Sequence, residues 1–234
     1  MSENPDSSAA GVVAALRAAR SDEEFAKVRK RLVAGEEAFG LRMRDLFDIA
    51  KDHSDLPLPE VNQLLDHPAY EPRMAAMCIL DFRARRRIDD DHRRELCETY
   101  LERHDRISTW DMVDRAAPRV VGGYLAGRSA APLYDLAASR DPLRRRTAIT
   151  APLHFIRHGS DDDLAEGFSV AARLAADPDP TVHKPVGIFL KHASTRDPGA
   201  VHAYLADHAE RLARPAVRLA VDKLGPKERD RYLA

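Results

Sequence analysis

Apolar residues recurring three and four places apart run through almost the whole of this chain, and that spacing most restricts its fold. Leu41, Met43, Leu46, Phe47, Ile49 and Ala50 repeat in this way. At 3.6 residues per turn, such residues share one side of a helix. The pattern predicts helices over roughly 9–19, 22–34, 41–53, 58–66, 71–87, 90–103, 108–126, 130–139, 142–158, 161–176, 179–194, 198–208, 212–223 and 226–233. No alternating run is joined by Asn-Gly or Asp-Gly, so hairpins are not expected.

The breaks between these segments carry helix punctuation. "SDEE" (21–24) and "SDDD" (160–163) set a capping residue before first-turn acids. "HPAYEP", "SRDP", "DPDP" and "TRDP" put proline near helix starts, where its missing N–H costs nothing. The helices fall into pairs of about 35–45 residues, the period of HEAT-like repeats. The expected fold is all-α, a HEAT-like helical-repeat solenoid (an α-α superhelix) with a concave groove. Residues 1–8 read as a disordered polar tail and 9–234 as a single domain with no dividing linker.

Composition narrows function only slightly. Charged residues make up 32% and apolar residues 44%, as in ordinary globular proteins. Lys plus Arg (37) balances Asp plus Glu (38). A basic face for nucleic acid is therefore neither indicated nor excluded by net charge. No run of about 18 apolar residues is present to span a membrane, and "MSENPDSSAAG" lacks the form of a secretion signal. Cys78 and Cys97 lie in apolar helical patterns. They read as core thiols of a cytoplasmic protein, forming neither a disulfide framework nor a zinc box.

Basic residues cluster at 27–31, 82–94 and 144–146. Arg83, Arg85, Arg86, Arg87, Arg93 and Arg94 have two readings: a solvated face paired to Asp89, Asp90 and Asp91, or contacts to phosphate. His154 and His158 have the i, i+4 spacing of a metal pair. No glutamate lies between them and no thiolate is near, so a metal site is not expected. Gly-rich phosphate loops, GxSxG and CxxC are absent.

The only tryptophan stands in "STWDMVDRAAPRVVG" (108–122). At 100° per residue, Trp110, Asp114, Ala117 and Val121 form one stripe, and Val113, Ala117, Val120 and Tyr124 form a core-like stripe beside it. Trp110 and Asp114 thus fall on successive turns at the edge of the buried face. Pro118 is expected to bend the helix or end it early. Two readings follow. Trp110 anchors the core while Asp114 caps a helix or pairs with an arginine. Alternatively, the two face a positive charge that develops during a reaction, since an indole face attracts a cation and a carboxylate stabilises one more strongly. Cleavage of an N-glycosidic bond, which turns a sugar oxocarbenium-like, is such a reaction.

"TWDMVD" followed by "PRVVGGYL" resembles the signature helix of the AlkD-like DNA alkylation-repair glycosylases. "FGLRMRDLFDIAK" (39–51), "HPAYEPRMAAMCIL" (67–80), "RRRTAI" (144–149) and "VHKPVGIFL" (182–190) are similar to further family segments in the same order. The resemblance covers roughly 25–225. It implies a HEAT-like protein that hydrolyses the N-glycosidic bond of cationic N3- and N7-alkylated purines in duplex DNA. Trp110 would face the lesion and its deoxyribose, and Asp114 would stabilise the sugar cation and position water. Arg146 would hold the DNA backbone, with Arg144, Arg145, Lys184 and Ile188 completing the DNA-binding set.

The chain departs from the family pattern at three places. Ile188 follows Gly187 where the family carries an aromatic, usually tryptophan; Leu143 replaces another aromatic; and Pro185 replaces an alanine, which is expected to shift Lys184. One aromatic fewer weakens the grip on a cationic lesion about tenfold. No cofactor and no metal are implied, the expected partner is duplex DNA, and a monomer is assumed. Two alternatives stand beside this reading. Ile188 fits a non-cleaving protein of the same fold that binds branched or distorted DNA. The near-zero net charge fits a helical-repeat scaffold for proteins.

Overall fold

The computed structural model describes residues 8–30 and 32–233. Of the tail expected at 1–8, residues 1–7 lie outside the described residues, and Ser8 caps the first helix by accepting from the Gly11 N–H. The fold is all-α. Among the described residues there is no strand, only an isolated parallel bridge between Glu37 and Ala69. The chain forms two compact units, Met1–Val120 and Val121–Ala234.

The first unit contains α1 (Ala9–Ala18), α2 (Asp22–Val28), α3 (Met43–Asp52), α4 (Leu58–Leu65), α5 (Tyr70–Ala84), α6 (Asp90–Glu102) and α7 (Trp110–Ala117). α5 is its axis. Every residue from Met74 to Asp81 is buried, because α3, α4 and α7 all pack on it. A helix apolar around its full circumference needs such neighbours. Glu71 is buried near the start of α5, and its carboxylate accepts from the Phe39 and Gly40 N–H groups at 2.8 Å each. Arg73 pairs with Glu36 and donates to the carbonyl of Arg106. The "E-x-R" of the sequence thus ties the 36–40 loop to α5.

α2 is shorter than the 22–34 expected. It ends at Val28, with Arg29 as its C-cap, and Val33 is exposed. Ser21 precedes α2 without the expected side-chain cap; the acids of the first turn, Asp22, Glu23 and Glu24, favour the helix end through its dipole instead.

The second unit contains α8 (Gly123–Leu125), α9 (Ala131–Ala137), α10 (Pro142–Thr150), α11 (Phe155–His158), α12 (Asp161–Arg173), α13 (Pro180–Ala193), α14 (Pro198–His208), α15 (Arg214–Ala220) and α16 (Pro226–Leu233). Three helices begin with aspartate followed by proline. Asp141, Asp179 and Asp197 each accept a backbone N–H of the first turn, at 2.9, 2.9 and 2.8 Å. Ser160 and Asp163 form the reciprocal capping box that "SDDD" predicts. α13 is the axis of this unit and packs against α10 and α15. At Gly187 the two backbones approach so closely that a Cβ would stand 2.5 Å from the Ala216 carbonyl oxygen.

Cys78 and Cys97 are buried and free, and burial pushes both thiols up to about 12.

Candidate functional site

α7 starts at Trp110, and its first turn is fixed by Asp111. That carboxylate accepts from the Thr109 hydroxyl at 2.6 Å, the Met112 N–H at 3.1 Å and the Tyr70 hydroxyl of α5 at 2.8 Å. Nearby, the Ser108 hydroxyl donates to Glu36 at 2.5 Å. Met112, Val113, Ala116 and Ala117 fill the interior. Trp110 is 46% exposed, which excludes its reading as a core anchor. Asp114, one turn on, is half-buried. Of the core-like stripe, Val113, Ala117 and Val120 are buried and Tyr124 is half-buried.

As expected of Pro118, the α-helix ends early: α7 stops at Ala117, with Pro118 as its C-cap. The backbone passes from α7 into a π-helical segment, Pro118–Gly122. Proline has no N–H, so the donor that an α-helix would offer the carbonyl of Asp114 is missing. A wider π turn is one response to that loss, and such turns are frequent at functional sites.

Behind this helix lies a carboxylate the sequence reading missed. Asp81 of α5 is fully buried, with Arg85 at 2.7 Å, Arg115 at 3.2 Å and Arg119 at 3.4 Å. The Arg115 guanidinium also covers the rings of Phe47 and Phe82, 4.4 and 4.6 Å from their centroids. The outer two arginines remain 40% and 45% exposed. An aspartate inside an otherwise apolar helical run was the available signal, because a buried carboxylate requires a cation.

The rest of the 82–94 run is mostly engaged by protein, largely with other partners than expected. Arg83 donates to the Leu56 carbonyl, and Arg86 bonds Asp55 and Ser54. Arg94 does meet Asp91, at 3.1 Å, while Asp89 caps α6.

In the second unit, Arg145 forms a two-pronged ion pair with Asp177, at 2.6 and 3.0 Å, and donates to the Ser139 and Arg140 carbonyls. Arg146 is 6% exposed, and its Nη1 donates to the Thr181 carbonyl of α13. Both arginines expected at phosphates are thus held on protein acceptors. Arg144 is half-buried. Lys184 is exposed and Ile188 half-buried, one turn apart on α13. The rings of His154 and His158 lie 4.8 Å apart in a tilted contact. Among the described residues, no group of three His, Cys, Asp or Glu side chains is placed to hold a metal.

These features define an all-α protein of the helical-repeat class with an exposed indole and a carboxylate on one helix. Residues 12–224 match the family model described as DNA alkylation repair enzyme. The chain belongs to that family, which places it in DNA repair. Its fold is similar to that of a predicted DNA alkylation repair enzyme from Enterococcus faecalis, with a TM-score of 0.63, 15% identity, and coverage of 88% of this chain and 97% of that one. No curated protein matches. No helix among the described residues is long and apolar enough to cross a membrane.

Proposed function

We propose that the protein is a DNA glycosylase that hydrolyses the N-glycosidic bond of cationic N3- or N7-alkylated purines in duplex DNA. The observation that carries this reading is the exposure of Trp110 at the start of α7, with Asp114 half-buried one turn behind it. The pair suits a centre that turns positive.

An alkylated purine already bears a positive charge, so it departs as a neutral base and leaves the charge on the sugar. No general acid is required for the leaving group. Asp114 stabilises the sugar cation and orients the water that adds to C1′, whose proton passes to solvent. Trp110 presents its ring face to the cationic lesion and the deoxyribose. Arg144 and Lys184 are the proposed backbone contacts. Arg145 and Arg146 reach phosphate only by leaving Asp177 and Thr181.

A second reading, a DNA-binding protein that does not excise bases, is favoured by Ile188 in place of the aromatic. Release of 3-methyladenine or 7-methylguanine from methylated duplex DNA, measured beside salt-titrated binding, separates the two. Asp114→Asn is expected to lower release by about 10²–10³-fold while binding persists. Salt-dependent binding without release supports the second reading. Neither release nor binding supports a protein scaffold.

A further inference from the structure

Asp81 is one buried carboxylate among three guanidinium groups. Its Oδ2 meets Nε and Nη2 of Arg85 at 2.9 and 2.7 Å, and Nη2 of Arg115 at 3.2 Å. Its Oδ1 meets Nη1 of Arg119 at 3.4 Å. One cation is enough to neutralise a buried carboxylate. Arg115, largely buried over Phe47 and Phe82, suits that part. Arg85 and Arg119 then bring two positive charges more than Asp81 balances, and both side chains reach the surface. Among the described residues, Asp81 is the one carboxylate that these three arginines meet. Nη1 of Arg85, and Nε and Nη2 of Arg119, have no protein acceptor among the described residues.

The cluster lies along the same helix as the exposed indole. Between 110 and 119, the residues that are not buried are Trp110, Asp111, Asp114, Arg115, Pro118 and Arg119. Residues four apart are neighbours on a helix surface. Arg115 and Arg119 thus continue the row begun by Asp111, beside the row of Trp110 and Asp114. At 1.5 Å per residue, Arg119 stands roughly 13 Å along the chain's helical course from Trp110.

The geometry points to a binding site for a phosphate group at Arg85 and Arg119, with Asp81 as the anchor that sets both guanidiniums in place. An anchored guanidinium has given up rotamer freedom before the ligand arrives, and its planar donors match phosphate oxygens. The site itself rests on charge and geometry. That its phosphate belongs to duplex DNA rests on the DNA-acting reading above; the phosphate is then one of a nucleotide flanking the lesion.

The test uses the full chain with Arg85→Gln and Arg119→Gln, alone and together. Arg94→Gln, on α6 outside the cluster, is the control. The first readout is the salt dependence of duplex affinity. The double variant should make the slope of log K against log salt shallower by about 0.9, the value of one phosphate contact, and the control should leave it unchanged. The second readout needs no DNA. Inorganic phosphate well above its dissociation constant, set against chloride at equal ionic strength, should raise the parent's Tm by about 3 °C and the double variant's by less than half as much.

A shallower slope in the double variant alone supports a DNA phosphate, whether or not methylated bases are released. An unchanged slope with phosphate protection lost in the double variant keeps the site and overturns its assignment to DNA. No change in either readout, or an equal loss of slope in Arg94→Gln, overturns the site. If the parent does not bind duplex, the functional reading fails and the inorganic phosphate readout decides the site by itself. Should the double variant not fold, Arg119→Gln, which gives up only the longest of the contacts to Asp81, runs through the same comparison.

Discussion

The helix that carries Trp110 and Asp114 and the helix that carries Lys184 and Ile188 meet the same local problem and solve it differently. Each course includes a proline that removes a backbone donor, Pro118 from the carbonyl of Asp114 and Pro185 from that of Thr181. After α7 the backbone itself yields and winds into the π-helical segment Pro118–Gly122. α13 keeps its α winding through Ala193, and the remedy is a side chain from α10. The surroundings account for the difference. Arg115 and Arg119 bracket Pro118 and both reach Asp81, so charged contacts hold the altered turn from α5. α13 is wedged against α15 at Gly187, where rewinding would drive backbone into backbone. A proline inside a helix is absorbed by whichever is less constrained, the chain or its neighbour.

Removing each anchor breaks this comparison, and the effects should differ in size. Asp81→Ala leaves two arginines at the turn and Arg85 beside them without their buried carboxylate. Loss of one partner from a buried ion pair costs about 3–5 kcal/mol. At about 2–4 °C per kcal/mol for a chain of this size, Tm should fall by roughly 10 °C in a melting experiment, well beyond the loss from Arg146→Ala. Equal losses would refute the account of charged pinning.

Adding a methyl sharpens the contrast in rigidity. Gly187→Ala should destabilise by about 1–3 kcal/mol in denaturant unfolding, as overpacking does. Gly122→Ala belongs in the same range, since its Cβ would run into the Ala151 carbonyl at the end of the π segment. A mild Gly187→Ala would show that α13 has slack, and that its intact winding needs another cause. The smallest stability effect belongs to Trp110→Ala. So open a ring should contribute within about 1 kcal/mol to folding, while affinity for methylated duplex falls about tenfold. A large Tm loss there would return Trp110 to the core.

Most helices were legible from apolar spacing, because burial of one face is a local, periodic demand. The end of α2 was not: nothing in the charged residues after Val28 says where tertiary support stops. Ser160 and Ser21 show the limit of cap motifs, since both precede acids and only Ser160 closes a capping box. Trp110 and Asp114 could be placed on adjoining turns, but exposure depends on which side of α7 meets α5, a tertiary matter. Asp81 and Arg146 were harder still. The partner Arg119 lies 38 residues beyond Asp81. One acceptor of Arg146, the Thr181 carbonyl, lies 35 residues away on another helix. Charge pairing and orphaned carbonyls leave no period in a sequence.

The sulfur chemistry described for the core has a bearing on the cellular setting of such a protein. Alkylating agents attack thiolates far faster than thiols. With burial pushing Cys78 and Cys97 up to about 12, both stay protonated at neutral pH, and packed side chains shield them. A member of an alkylation repair family therefore offers no fast-reacting cysteine to the electrophiles whose damage its family answers. Native protein should resist iodoacetamide at pH 8 and take up two equivalents only once unfolded.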